Sequence, residues 1–341
     1  MIARKNKSIS FIILMIISIF IFSFNACSLL GQPIEDEKEE IPSGLKVSIT
    51  IEEGMTLQQI ASLLESTGIV DNGFLFRLFV QQKDKERNLA PGIYNLVTGS
   101  KYGDVLDELV LGPPIVTYNI TIPEGYTLDD IVKKYSMELP FINTVGMEEA
   151  IKIYNYNYDY LKGVNSLEGF LFPKTYEIIL EYTPKDIIGM MLAQYQFETG
   201  DLDYSFTEEN SFSKYDILII ASMIEREAYI PEERELISAV IHNRLAIDMA
   251  LGIDATLSYY LKKWEEPLTE SDLETDSTYN TRLYTGLPPT PICNPGLASI
   301  IAALNPADVS YLYFVVANSE THEHSFANDY NEHINNINNA N

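Results

Sequence analysis

The chain has 341 residues, of which 46% are hydrophobic, so it can form one large core or two modest ones. Acidic residues outnumber basic residues 49 to 23, which gives a formal net charge of -26 at pH 7. A surface of this sign repels phosphate backbones, and the composition therefore argues against nucleic acid as a partner. We interpret the excess of acidic residues as a solubilising feature rather than as a site for one particular cation.

The first 34 residues predict a signal peptide or a membrane anchor. Arg4, Lys5 and Lys7 form a positively charged region, and residues 9–24 are almost entirely apolar. The apolar stretch is close to the lower length limit for a membrane-spanning helix, so its length leaves both interpretations open. In either case the positive end stays inside, and the rest of the chain lies outside the cytoplasm.

Cys27 adds a third interpretation, which we favour over an uncleaved anchor. The segment Asn25-Ala26-Cys27 follows the apolar stretch, and a small residue before a cysteine resembles the cleavage site of a bacterial lipoprotein. Cys27 is then the predicted lipidation site, on the outer face of a bacterial cell membrane. The other cysteine is Cys293, so a lipidated chain has no cysteine pair for an internal disulfide.

Residues 35–44 form an acidic linker, and two similar strand–helix segments follow it. Each has the order of strand, Glu-Gly turn, capping threonine and amphipathic helix. We name Ile49-Thr-Ile-Glu-Glu-Gly-Met-Thr-Leu57 module one and Ile120-Thr-Ile-Pro-Glu-Gly-Tyr-Thr-Leu128 module two. Between them, residues 90–96 predict a turn followed by a strand, and residues 102–111 predict a helix.

These modules resemble the LysM fold, which binds GlcNAc-containing glycans, so residues 45–140 form a predicted LysM-like region. The alternative is a scaffold that only positions the rest of the chain, since no pattern of exposed aromatic residues is recognisable there. Both interpretations stay open from the residues alone.

Residues 141–341 predict a mixed α+β domain, because strands and helices follow one another without regular alternation. Ser213 is predicted to cap a helix over residues 214–228, and Pro231 to start the next helix. Asn294-Pro295 similarly predicts the start of a helix over residues 297–304. Residues 310–317 are rich in aromatic and β-branched side chains, which favours a buried strand.

The helix that contains Glu225 carries the candidate catalytic acid. Nearly every position in residues 217–224 is apolar, so the helix is predicted to be buried on most sides. Glu225 continues the apolar face formed by Leu218 and Ala221. Burial of a carboxyl raises its pKa, and a protonated carboxylic acid is what protonation of a glycosidic oxygen requires.

A simpler interpretation is that a core helix emerges into solvent at Glu225, which then pairs with Arg226 or Arg244. From this helix alone the simpler interpretation is preferred, because buried ion pairs also perturb carboxylates. The sequence downstream changes this balance. A segment dense in proline and glycine over residues 286–296 predicts a rigid, irregular loop, which we expect to form one wall of a cleft.

Seven segments support a specific family. In chain order they are Leu167-Glu-Gly-Phe-Leu-Phe-Pro-Lys-Thr-Tyr176, Ala221-Ser-Met-Ile-Glu-Arg-Glu227, Val240-Ile-His-Asn-Arg-Leu245, Tyr279-Asn-Thr281, Leu287-Pro-Pro-Thr-Pro-Ile292 with Asn294-Pro-Gly296, Tyr311-Leu-Tyr-Phe-Val315 and His324-Ser-Phe326. Together they resemble the YceG-like family, also called MltG, of endolytic murein transglycosylases. The resemblance covers roughly residues 45–333 and assigns 141–341 to the catalytic domain.

The resemblance places the single catalytic glutamate of that family at Glu225. It also implies that further positions line or support the cleft, namely Glu168, Glu227, Asn243, Arg244, Asp254, Tyr279, Asn280 and Thr281. Among these, Asn243, Arg244 and Asn280 are candidates for orienting the sugar. The chain departs from the family pattern at Asp254-Ala255-Thr256, where a central proline is usual, and at Glu332-His333-Ile334.

The activity implied by this resemblance is cleavage of the β-1,4 bond between MurNAc and GlcNAc in peptidoglycan. The products end in 1,6-anhydro-MurNAc, and no metal or cofactor is required. An endolytic preference, a role in terminating glycan strands, and penicillin-binding proteins as partners are implied by the resemblance only.

Two rival interpretations come from other observations. His322-Glu-His324 with His333 could form a metal site, because two histidines separated by one residue share a face of a strand. Nothing nearby supplies the rest of a hydrolytic metal site, so we rank it below the transglycosylase. The other rival is a non-catalytic envelope lipoprotein that binds peptidoglycan, against which the retained Glu225 motif argues.

Overall fold

The computed structural model describes residues 41–340. The predicted anchor, Cys27 and most of the acidic linker lie outside the described residues. The described chain is mixed α+β, with two-stranded antiparallel sheets, and divides into two compact units at Pro114 and Ile115. None of the helices between residues 41 and 340 has the length and apolar character that crossing a bilayer requires.

The first unit contains module one and alternates two strands with helices. Its elements are β1 Lys46–Ile51, α1 Leu57–Ser66, α2 Gly73–Gln82, β2 Gly92–Val97 and α3 Tyr102–Leu111. The strands pair antiparallel, with Ile49 opposite Tyr94, and both side chains are buried. Thr56 caps α1, as predicted, and forms a capping box with Gln59.

The second unit begins with module two. Strand β3 (Thr117–Thr121) is followed by helix α4 (Leu128–Glu138), which Thr127 caps as predicted. β3 pairs antiparallel with β4 (Thr175–Ile179), so its partner comes from far along the chain. This pairing explains why the structural division falls before module two, whereas the predicted LysM-like region extends to residue 140.

Helices build most of the second unit. They are α5 Thr144–Ala150, α6 Pro184–Thr199, α7 Ser205–Asn210, α8 Lys214–Glu227, α9 Arg234–Ala246, α10 Asp254–Leu261, α11 Glu270–Leu273 and α12 Leu297–Leu304. Helix α8 is central, because it packs against α9, α10 and α12 and its residues 217–224 are all buried. Ser213 caps α8 as predicted, whereas Pro231 opens a short 3-10 helix, Pro231–Glu233, directly before α9.

The chain ends in a hairpin, β5 Tyr313–Asn318 and β6 Glu323–Ala327, followed by α13 Tyr330–Asn339. The prediction of a buried strand over residues 310–317 is wrong in its burial. β5 is only partly buried, and Val316 is 41% exposed. Among the described residues β6 is the only strand paired with β5, and the packing of α13 and α9 against this hairpin leaves part of β5 uncovered.

Candidate active site

Glu225 lies in the last turn of α8, half-buried, at the amino end of α12. Its Oε2 accepts a hydrogen bond from the Gly296 N–H at 3.0 Å and another from the Ser299 hydroxyl at 2.7 Å. Backbone N–H groups at a helix amino end favour negative charge. The site therefore stabilises the carboxylate that Glu225 becomes after it gives up a proton.

Neither arginine of the simpler interpretation forms an ion pair with Glu225. The Arg226 guanidinium lies over the Trp264 ring, 4.0 Å from its centroid, and donates to the Gly125 carbonyl at 3.4 Å. Arg244 donates to the carbonyl of Leu312 instead, at 2.6 Å. The interpretation of Glu225 as one half of an arginine ion pair is therefore wrong.

Asn294 joins the loops around Glu225. Its side chain donates to the Tyr126 carbonyl at 2.8 Å and to Glu168 Oε1 at 3.1 Å, and accepts from the Leu171 N–H at 2.8 Å. The prediction that Asn294 caps α12 is wrong, since Gly296 is the capping residue. The buried asparagine instead completes hydrogen bonds that the neighbouring loops cannot make internally.

Glu168 is 1% exposed and stabilises the loops that Asn294 joins. It accepts from the Leu128 N–H at 3.1 Å and from the Tyr259 hydroxyl at 3.0 Å, besides Asn294. Burial raises the pKa of Glu168 to about 8, although the hydrogen bonds oppose this shift.

Glu227 is the second acidic group at the end of α8. Burial and the nearby charge of Asp254 raise the pKa of Glu227 to about 7, while Arg226 opposes the shift. Asp254 starts α10 and forms a two-pronged ion pair with Arg282, at 2.6 and 2.9 Å. Glu227 is therefore a second candidate for proton transfer near neutral pH, and mutation must separate it from Glu225.

Asn243 and Arg244 fasten the segment before β5 to α9. Asn243 donates to the carbonyls of Val309 and Tyr311, at 2.9 and 3.0 Å. The Arg244 guanidinium also lies 5.1 Å from the centroid of the Tyr313 ring. The expected contact of these two side chains with a sugar stays a prediction, because their donors here serve backbone carbonyls.

Tyr279, Asn280 and Thr281 organise the loop opposite α10. The Asn280 side chain is buried and donates to the carbonyls of Leu273 and Thr275, at 2.9 Å each. The Thr281 hydroxyl accepts from the Ile253 N–H at 3.0 Å, directly before Asp254. Tyr279 stacks on Tyr260 and hydrogen-bonds Thr290 at 2.8 Å.

A cavity of about 440 Å³ lies beside this loop. Its lining includes the rings of Tyr259, Tyr260, Trp264 and Tyr279 and the carboxyl of Glu168. Trp264 carries Arg226 on one face, and Arg226 directly follows Glu225 in the chain. The cavity thus offers aromatic surface that contacts the residue following Glu225, although Glu225 itself does not line it.

The histidines of the rival metal site lie in separate environments. His324 contacts Glu233 through Nδ1 at 2.6 Å, the His322 ring lies tilted against Tyr229, and His333 stacks on Tyr313. Across residues 41–340, no group of three His, Cys, Asp or Glu side chains is placed to hold a metal ion.

Sequence reasoning missed Ser299, Trp264 and Glu124 as members of this region. Ser299 carried no motif of its own, although it lies three residues after Gly296 and so faces the same amino end of α12. Glu124 was noted only as part of the Glu-Gly turn of module two. Trp264 is the single tryptophan of the chain, which was the available signal.

Known proteins match most of this chain. The profile of the YceG-like family covers residues 49–339. An endolytic murein transglycosylase of Bacillus subtilis (strain 168) is 32% identical over 305 residues, covering 84% of this chain and 81% of that protein. A protein of the same name from Streptococcus pneumoniae R6 is 32% identical over 322 residues, covering 85% of this chain but only 58% of that protein.

A solved structure agrees with this relationship. The crystal structure of a YceG-like protein from Listeria monocytogenes matches with a TM-score of 0.58 at 29% identity, covering 86% of this chain and 99% of that one. At this coverage the match extends into both compact units. The chain belongs to the YceG-like family.

Proposed function

We propose that this chain is an endolytic lytic transglycosylase of peptidoglycan, with Glu225 as its acid–base residue. The observation that carries the proposal is the half-buried Glu225 carboxylate, held by Gly296 and Ser299 at the amino end of α12. The relatives named endolytic murein transglycosylases support the substrate and the reaction.

The reaction requires one group that first gives and then takes a proton. Protonated Glu225 donates to the oxygen that leaves C1 of MurNAc, and the bond between C1 and this oxygen breaks. The C6 hydroxyl oxygen of the same MurNAc then bonds to C1, and its proton returns to Glu225. The product ends in a 1,6-anhydro ring, and no water is consumed.

The aromatic cavity is a fitting place for the glycan strand. Sugar rings pack their C–H faces on aromatic rings, and a partly polar cavity of this size suits a small number of sugar residues. The exposed face of Tyr260, which is 49% exposed, and the ring of Trp264 are the surfaces offered to the substrate. Asn243, Arg244, Asn280 and Thr281 hold the loops around the cleft through bonds to backbone groups, and contact of Asn243, Arg244 and Asn280 with the sugar stays a prediction.

Attachment and partners complete the proposal. A lipid at Cys27, or an uncleaved anchor, would hold the chain at the outer face of the membrane where new glycan emerges. The first unit has the strand–helix–helix–strand order of a LysM-like module, which supports glycan binding there. Penicillin-binding proteins of wall synthesis are partners that this placement would suit.

The proposal is tested by comparing the Glu225→Gln and Glu227→Gln variants of the purified full-length protein on isolated glycan strands. Glu225→Gln keeps the shape but cannot transfer the proton, so turnover should fall by about 100- to 10,000-fold while strand binding persists. Glu227→Gln should be much milder. A severe loss in Glu227→Gln beside an active Glu225→Gln would move the acid–base role to Glu227. Strand binding without turnover in the wild type would favour the non-catalytic lipoprotein.

A further inference from the structure

Glu124, the glutamate of the module two turn, lies beside the candidate catalytic residue. A β-carbon added to Gly296 would overlap the Glu124 carboxyl oxygen Oε1, so position 296 accepts Glu124 only because it is glycine. The N–H of the same Gly296 donates to Glu225 Oε2. The carboxyl groups of Glu124 and Glu225 therefore flank one residue at the amino end of α12.

Backbone contacts hold the turn in this place. A β-carbon at Gly125 would lie 3.8 Å from Glu225 Cγ and 3.5 Å from Arg226 Nη1. The Gly125 N–H donates to the Asn294 carbonyl at 2.9 Å. The position of Glu124 thus follows from its neighbours in the turn and not from any bond of its own carboxylate.

The Glu124 carboxylate is available to a ligand. Glu124 as a whole residue is exposed, although its carboxyl end is partly enclosed beside Gly296, and no hydrogen bond or ion pair joins it to another of residues 41–340. The charged groups that act on it are Glu225 from α8 and Arg234 from α9. Partial burial and the charge of Glu225 raise the pKa of Glu124, and Arg234 opposes this shift. Two carboxyl groups that interact in this way favour a state with one acid and one carboxylate. When Glu225 holds the proton, as the reaction requires, its charge no longer opposes the ionisation of Glu124.

We propose that Glu124 is a second catalytic residue, an ionised carboxylate that stabilises the positive charge developing on C1 of MurNAc. This inference rests on the proposed function. Glu225 carries the proton in both directions, whereas Glu124 forms no bond and exchanges no proton. Fixed charge aimed at a developing opposite charge is an effective source of rate enhancement in a partly enclosed site.

Module one supplies a control within the same chain. Gly54 follows Glu53 with a φ of +85°, close to the +80° of Gly125, but a β-carbon at Gly54 would meet no atom within 4 Å. Glu53 therefore occupies the same kind of turn, but one whose glycine has no neighbouring atoms within this distance. Glu53→Gln is the matched control for Glu124→Gln.

The experiment measures kcat and KM on isolated glycan strands across pH for the full-length wild type, Glu124→Gln, Glu124→Asp and Glu53→Gln. Glu124→Gln should lower kcat on the order of 100-fold with little change in KM, and Glu53→Gln should equal the wild type. In the wild type, kcat/KM should fall at low pH as Glu124 gains a proton, and this acid limb should be absent in Glu124→Gln. Glu124→Asp keeps the charge and should retain both the acid limb and part of the rate.

Wild-type activity of Glu124→Gln at every pH, beside an inactive Glu225→Gln, would overturn this inference and leave the proposed function intact. A loss of kcat in Glu124→Gln with an unchanged acid limb would also overturn it, because a merely structural residue has that effect. Full activity of Glu225→Gln would instead contradict the proposed function itself. Melting temperatures of all variants exclude unfolding as the cause of any loss.

Discussion

Modules one and two have nearly the same sequence but different surroundings. Both form a strand, a Glu-Gly turn with positive φ at the glycine, and a helix with a threonine capping box. The module one turn projects into open space at Gly54, whereas the module two turn is bonded to Asn294 and contacts Glu225. Local sequence thus determines the shape of the module, and segments far along the chain determine whether its turn joins a catalytic site.

The largest expected effect on stability comes from the residue that ties module two to the site. Asn294→Ala leaves the Leu171 N–H without its partner and removes one hydrogen bond each from the Tyr126 carbonyl and Glu168, which keep their other donors. We expect the free energy of unfolding to fall by about 3 kcal/mol, measured by denaturant titration. Asn305→Ala is the control, since this exposed amide bonds only to the Ile301 carbonyl. Equal losses in the two variants would refute the special role of Asn294.

A second prediction concerns the pH dependence of stability. Glu168 accepts a hydrogen bond from the Leu128 N–H, the first N–H of α4, and its carboxyl is buried. The pKa of Glu168 rises from 4.5 to about 8 on folding, so the folded state binds more protons between these values. The free energy of unfolding contributed by Glu168 should therefore fall as pH rises from about 4.5 to about 8, by a few kcal/mol. Glu168→Gln should flatten this slope, and the exposed Glu177→Gln should leave it unchanged. A slope that persists in Glu168→Gln would assign it to other groups.

The two turn glycines give a matched pair. Gly54→Ala and Gly125→Ala each place an L-residue at positive φ, which should lower the free energy of unfolding by about 1 kcal/mol. Only Gly125→Ala should also reduce turnover, because its new methyl contacts Arg226 and Glu225. Comparison of melting temperature with kcat for both variants checks this. An equal loss of kcat in Gly54→Ala would remove the distinction between the modules.

The capping threonines are expected to affect stability alone. Thr56→Ala and Thr127→Ala each remove a capping box and should cost about 1 kcal/mol, with the larger cost at Thr127, which is 6% exposed. Thermal denaturation of the two variants measures the difference. A larger cost at the exposed Thr56 would show that burial of the cap contributes little.

Helices and their capping residues were predicted correctly from the sequence where the residues that determine them lie close together in the chain. The helix over residues 102–111 and the capping roles of Thr56, Thr127 and Ser213 follow from side chains within one turn of the element. The failure at Asn294 concerns partners that are distant in sequence, and the failure at β5 concerns how far the rest of the unit covers the strand, which its own residues do not determine. Motif membership predicted that Asn243, Arg244 and Asn280 lie near the site, but it did not indicate that their donors bind backbone carbonyls. The positions of Ser299 and Glu124 near Glu225 depend on how α12 and module two pack against the end of α8. No local sequence pattern predicts that packing.

The most direct test of the central proposal is the mass of the strand ends that the full-length protein produces in water labelled with heavy oxygen. If the C6 hydroxyl attacks C1, the products end in 1,6-anhydro-MurNAc, weigh one water less than reducing ends and carry no label. Glu225→Gln should yield almost none of these products, while Glu227→Gln should yield the same species as the wild type. Labelled reducing-end MurNAc as the main product would contradict the account and identify a hydrolase.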